Sequence, residues 1–222
     1  MPTEAIINVN GSNVQTLEVL FLTTLLAVLP ALLVMMTSFT RYVIVFSFLR
    51  TAMGTQQVPP NTVLIGMALV LTLFTMTPTL TAIQQEAYEP YVREEISQEE
   101  FFDRAQVPLK DFMLRQTQIS SLELYCDMAD VDIPASGEEA TRLPMRVIVP
   151  AFVTTELKRA FEIGFLLYLP FVLVDMVVAS TLMSMGMIML PPAMISSPFK
   201  LLLFVLLDGW QLLFSTLIQG FR

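Results

Sequence analysis

Between Phe165 and Leu213 the chain reads FLLYLPFVLVDMVVASTLMSMGMIMLPPAMISSPFKLLLFVLLDGWQLL, apolar enough for a bilayer yet carrying Asp175, Lys200 and Asp208. Charge there needs a physical reason. An ionisable side chain at the centre of a hydrocarbon layer costs about 2.5–3.5 kcal/mol on insertion scales, so such groups usually pair or face protein and water. Glu156, Asp175 and Asp208 are the candidate carboxylates for acid–base work. Aspartyl chemistry needs two of them close together, and no spacing places Asp175 and Asp208 on one helix face. The chain has no histidine, which removes the commonest metal ligand and general base. It has one cysteine, Cys126, so an internal disulfide is excluded.

The same stretch places methionine at 183, 185, 187 and 189. On a helix, steps of two residues scatter side chains over opposite faces, whereas an extended segment points them one way. Gly186, and Pro191-Pro192 just after, favour the extended form. A comb of flexible thioethers could close around something irregular. The competing reading is methionine as gap-filler in an apolar core.

These residues must be positioned by membrane-type elements. Of 222 residues, 55% are apolar and 14% charged, against about 25% charged in ordinary soluble domains. The net charge of −8 is concentrated: residues 81–142 hold 14 acidic and 5 basic residues. Nothing resembles the basic stripe that nucleic acid demands. Residues 1–18 are polar, without the basic and apolar regions of a signal peptide. Residues 19–40 are an uncharged run of 22, long enough to span as a helix, with Pro30 inside it. Arg41 and Arg50 follow, and Gly54, Pro59 and Pro60 make a turn into a second run, 61–83. The two runs read as a first apolar helical hairpin, 19–83. By the positive-inside rule the basic link faces the cytoplasm, placing the N-terminus and the acidic insert outside. The insert, 84–146, is amphipathic and helical, with Phe101, Phe102, Phe112, Leu122 and Tyr125 at helical spacing. Ser97 and Glu100 fit a capping box, and Cys126 offers a native thiol probe of the insert's side.

From residue 147 to 222 the chain turns apolar again in short pieces, 12 uncharged residues before Asp175 and 24 before Lys200. Twelve helical residues cover only about 18 Å. Hydropathy would draw two more spans around Pro191-Pro192. The charges favour a second apolar hairpin with a methionine-rich loop, packed partly inside protein and kinked at Pro170. The fold class is therefore all-α membrane protein, built of helical hairpins with an extracytoplasmic helical insert.

At TSFTRYVIVFSFLRTAMGTQQVPPN, ELKRAFEIGF and PPAMISSPFKLLLFVLLDGWQLL, with the methionine run between, the chain resembles the FliP/SctR family. These are membrane subunits of the flagellar and type III secretion export gate. The likeness runs from about Leu17 to Leu213, and the acidic insert with its FMLRQT segment is closer to flagellar members. It implies a non-enzymatic subunit of the bacterial inner membrane and flagellar basal body, without cofactors. Several copies, expected as a pentamer, would join FliQ-like and FliR-like partners in a helical cone that passes unfolded flagellar proteins. The family's methionine gasket falls on Met185, Met187, Ile188 and Met189. Its inter-subunit charge pair falls on Glu156 and Lys200, and subunit contacts on Phe112 and Tyr125. Two other classes compete from the residues alone. Broken helices with intramembrane charge suit a small-solute or ion transporter, although no internal repeat is evident, and paired carboxylates would suit an intramembrane enzyme.

Overall fold

A computed structural model describes residues 6–9, 12–55, 57–134, 137–187 and 189–221. The polar N-terminal segment carries a two-stranded antiparallel ribbon, β1 (Ile6–Val9) paired with β2 (Ser12–Gln15). An all-α reading missed it. The available signal was Asn10-Gly11 between two short runs, the dipeptide most associated with hairpins. Everything else of regular structure among the described residues is helical.

Helix α1 (Thr16–Met35) ends five residues short of the uncharged run. Thr37 Oγ1 donates back to the Val34 carbonyl at 2.9 Å and accepts the Phe39 amide at 3.4 Å, turning the chain into α2 (Phe39–Ala52). Helix α3 (Asn61–Ile83) then runs the length of the second apolar run. It continues through a π-helical turn, Gln84–Tyr88, into α4 (Glu89–Val92), where Pro90 has no amide hydrogen to give to the ladder. The first apolar region is thus three helices rather than a hairpin of two. Its tight antiparallel pair is α2 with α3, tied by the Tyr42 hydroxyl and Thr75 Oγ1 at 2.5 Å.

The short α2 is the hub. Tyr42, Val45, Phe46, Leu49 and Ala52 are buried on it at helical spacing. Around them gather Leu64 and Ala68 of α3, and Ala160 and Phe171 of α8 (Met145–Ser184). Phe204 of α9 (Pro192–Leu206), with Leu213 and Leu217 of α10 (Gly209–Gln219), completes this core. Contact between α2 and α8 is close because residue 164 is glycine: a Cβ there would lie 2.5 Å from the Phe48 ring.

The expectation of short apolar pieces after residue 147 fails. Helix α8 is one unbroken element of 40 residues, about 60 Å long at 1.5 Å per residue. Glu156, Lys158, Arg159 and Glu162 interrupt its hydropathy but not its helicity, since Glu, Lys and Arg are good helix formers. The break comes between Ser184 and Pro192, and α9 takes Pro192 as its first residue, a position that needs no amide donor. A second break follows at Leu207-Asp208, where α9 and α10 meet at 63°.

The acidic insert holds α5 (Gln98–Gln116), α6 (Ile119–Ala129) and the short α7 (Gly137–Ala140). The capping box at the start of α5 is formed: Ser97 Oγ accepts the Glu100 amide at 3.2 Å and Glu100 Oε2 accepts the Ser97 amide at 2.9 Å. Those hydrogen bonds hold the Glu100 carboxyl below its ordinary range. Met113 and Cys126 meet Val147, Ile148 and Phe152 in a second core, which seats the insert on the start of α8. Among the described residues, two continuous helical stretches are long and apolar enough to cross a membrane, Asn61–Val92 and Met145–Ser184. A third is counted if α9 and α10 form one bent span.

Candidate functional site: two charged joints and a methionine loop

The charges buried in the apolar region converge on two joints. At the first, Arg41 of α2 is 2% exposed and Glu156 of α8 fully buried. Arg41 Nε donates to Glu156 Oε2 at 2.7 Å and Nη2 to Oε1 at 2.5 Å, a two-pronged contact that suits a planar guanidinium. Nη1 donates to the Gly220 carbonyl at 3.1 Å, and the Phe221 ring lies 3.6 Å from Cζ. Gln116 closes the ring: its Oε1 accepts from Arg41 and from Arg159, and its Nε2 donates to the Phe221 carbonyl at 3.1 Å. One guanidinium therefore joins α2, the insert, α8 and the end of α10.

At the second joint, Lys200 of α9 donates to Asp175 Oδ2 of α8 at 2.6 Å and to the Ala52 carbonyl at the end of α2 at 3.0 Å. Ser196 Oγ donates to the other Asp175 oxygen at 2.6 Å. Asp208 takes no part: it sits exposed at the α9–α10 break with φ of 49°. Asp175 and Lys200 of the apolar stretch thus pair with each other, as the cost of an isolated charge there favours. Within the chain, however, Glu156 and Lys200 are not each other's partners. Glu156 and Asp175 are 19 residues apart on one helix, about 28 Å along its axis. No two-carboxylate dyad can form between them.

Arg41 also leaves the expected basic link. It lies nine residues before Arg50, about 14 Å along α2, and is neutralised beside the insert. Of the two arginines, only Arg50 stands at the Gly54–Pro60 end. The single cysteine is likewise unsuitable as a probe, since Cys126 is fully buried and burial raises its thiol pKa.

The methionines do not form one extended comb. Met183 belongs to α8, and the helix then ends in a Schellman cap. The Met187 amide donates to the Leu182 carbonyl at 3.0 Å and the Gly186 amide to that of Met183 at 3.0 Å. Gly186 holds φ of 77°, a conformation that costs glycine nothing. The local signal for this cap was the glycine itself, which favours a helix end as strongly as an extended run. Met183, Met185, Met187 and Met189 are all exposed, Met189 by 95%. Ile188 lies outside the described residues. Phe112 is half-buried between Phe152 and Phe221, with ring centroids at 5.9 and 6.1 Å, and the Tyr125 hydroxyl shares a hydrogen bond with Thr154 at 2.9 Å.

A helical membrane protein results, with one buried and one part-exposed ion pair that lock helices together and an exposed thioether loop where α8 turns into α9. The FliP family model matches residues 22–217, and the chain belongs to the FliP family. It is 50% identical over 212 residues to a flagellar biosynthetic protein FliP of Aquifex aeolicus, covering 96% of this chain and 88% of that protein. The counterpart of the same name in Pectobacterium carotovorum is 53% identical over 214 residues, 96% of this chain and 82% of the relative. That of Bacillus subtilis is 50% identical over 206 residues, 93% and 92% respectively.

Removing one partner of the first joint leaves a buried charge alone, which typically costs about 3–5 kcal/mol. Arg41→Met and Glu156→Gln are each expected to lower the midpoint of thermal unfolding of the purified protein sharply. The double variant Arg41→Met with Glu156→Leu should recover much of that loss. Wild-type midpoints in both single variants would show that the pair is not buried in the membrane-embedded protein.

Proposed function

We propose that this chain is a pore-forming subunit of the flagellar protein export gate, present in several copies beside FliQ-like and FliR-like subunits, and passing unfolded flagellar proteins. The observation that carries this reading is the exposed methionine loop at the α8–α9 turn of a FliP-family chain. A methionine that fills a core is buried, and these four are not. Thioether chains have three rotatable bonds and no strong hydrogen-bonding group, so a ring of them excludes water and ions yet yields to a polypeptide of any sequence. Asp175 and Lys200 neutralise each other, so this pair is not the open charged site that an ion transporter needs.

The seal comprises Met185, Met187 and Met189, with Ile188 between them. Replacing the three methionines by alanine should leave the complex assembled with its partners but raise the ion conductance of membranes containing it. Lost assembly with no leak in what assembles would assign the methionines to packing instead.

Glu156 and Lys200 meet across subunits in this reading, and since each has another partner within the chain, assembly exchanges those partners. Cysteines at the two positions should then cross-link into dimers in the assembled gate. Cross-linking confined to aggregates, with none in the intact complex, would remove the exchange. Phe112 and Tyr125 are half-buried and present their remaining edges to a neighbour.

The insert lies outside the cytoplasm, which agrees with its acidity and with Arg50 at the opposite end of α2. The exposed Met128 replaces the buried native thiol as the probe. Met128→Cys in a Cys126→Ser background should react with an impermeant maleimide in cells with a permeabilised outer membrane. Labelling only in inverted vesicles would reverse the orientation.

A further inference from the structure

The break between α9 and α10 serves neither charged joint nor the methionine loop, yet it frames a cavity. That cavity, of about 390 Å³, lies at the 63° bend, between α9, α10 and the middle of α8. Leu166, Phe171, Leu203, Leu207, Gly209 and Leu212 are among the residues that line it. The one polar side chain in its wall, Thr216, is spent on the Leu212 carbonyl at 2.8 Å. The Phe204 and Trp210 rings meet edge-on at 5.2 Å across the break and hold the bend in shape. Around the cavity the break presents more apolar surface: Leu207 is 60% exposed, and Val205, Leu206 and Leu212 more so. An exposed apolar cluster of this kind marks a surface that another molecule covers.

Asp208 stands in its midst, between Leu207 and Gly209 of the cavity wall. It occupies the position before α10, yet its carboxylate caps no amide of that helix and makes none of the four ion pairs found among the described residues. The nearest basic residue in the sequence, Lys200, is committed to Asp175 at 2.6 Å. Glu156 and Asp175 each have a cation within the chain, and Asp208 has none. Local structure therefore leaves this carboxylate to whatever covers the apolar face, because a charge sealed under such a cover without a partner is strongly unfavourable.

Charge complementarity selects the cover. Acyl chains would fill the cavity but leave the carboxylate unpaired, and anionic headgroups repel it. A second copy of this chain fits poorly. Its Lys158 has Glu162 one turn along the same face of α8, Arg50 lies in the last turn of α2, and Arg93 and Arg115 already pair with Glu89 and Asp111. A helix with apolar side chains for the cavity and one cation for the carboxylate meets both requirements.

We propose that Asp208 and this cavity dock a helix of a different membrane subunit, one that carries a single arginine or lysine in an otherwise apolar face. The inference rests on the chain working beside other subunits, as in the proposed function, and not on the methionine seal.

The test uses the complex of this chain with the FliQ-like and FliR-like subunits, purified in detergent, and measures the release of each partner after dilution. Asp208→Asn is the deciding variant, since asparagine keeps the shape, tolerates the positive φ and removes only the charge. It should speed the release of one partner at least tenfold. The midpoint of thermal unfolding of the isolated chain should not move, because no group within the chain uses the carboxylate. A benzophenone amino acid in place of Leu206 then identifies the cover, and the cross-linked partner peptide should hold a basic residue in an apolar run. Replacing that residue by methionine should add nothing to the loss in Asp208→Asn. Unchanged release in Asp208→Asn, or a lowered midpoint of the isolated variant, overturns the docking. Cross-linking to a second copy of this chain or to lipid overturns the choice of occupant. A wild-type chain that never joins those subunits removes the proposed function as well, whereas unchanged release from a complex that does form removes the docking alone.

Discussion

A guanidinium withdrawn from water must have its donors filled, and Arg41 meets that constraint with partners from three other parts of the chain. Glu156 of α8 takes two donors, the Gly220 carbonyl takes one, and Gln116 of the insert takes another at the long limit of 3.5 Å. The Phe221 ring covers the flat face. Desolvating two such ions costs several kcal/mol each, which their mutual attraction offsets only when geometry and secondary partners are nearly complete. Any other docking of the insert or of α10 would leave that set incomplete. The pair thus selects one arrangement of helices more than it adds stability, in a region where apolar packing alone is permissive.

The rest of the architecture distributes rigidity and openness between two ends. Helix α8 carries Glu156 toward one end and Asp175 toward the other, so a single strut holds both joints at a fixed separation. Near Arg41 the helices are sealed by rings: Phe221 lies between Tyr42 and Phe112, with centroids at 5.6 and 6.1 Å. At the other end Lys200, Ser196 and the caps of the turn hold the chain, and beyond them it presents thioethers to the outside. The proposed pore-forming role, fixed against neighbours yet yielding along a channel, is consistent with this division. Side chains with several rotatable bonds are placed on a short loop between two long helices, and the charges that set helix position stay away from it.

Much of the helical outline was legible because its signals are local. Asn61 to Ile83 read as one span since Pro59-Pro60 stops any helix before it and no charge interrupts it. The start of α5 was visible in Ser97 and Glu100, three residues apart, because a capping box is built from neighbours in the chain. The 40-residue course of α8 was not legible. Its charges cut the apolar run into short pieces, and nothing local shows that Glu156 faces Arg41 or that Lys158 and Arg159 reach Gln118 and Gln116. The role of α2 was hidden for a similar reason. Fourteen residues are too few for a span, and their apolar pattern does not say that α3, α8, α9 and α10 will all bury against them.

What the sequence determined by itself was membership: an apolar helical protein with one acidic insert, an unusual methionine run and the long motifs of the FliP family. Those properties depend on composition and on spacings of a few residues, which the chain displays directly. Tertiary structure alone decided which charge answers which. Arg41 and Glu156 are separated by 115 residues, and Asp175 and Lys200 by 25. Glu156 and Lys200 are as plausible a couple on paper as Glu156 and Arg41, because every buried charge of one sign is an equally good partner for every charge of the other until distances are known. Those distances follow from how α2, α8 and α9 pack, and packing is a property of the whole set of surfaces, not of any stretch that carries the charge.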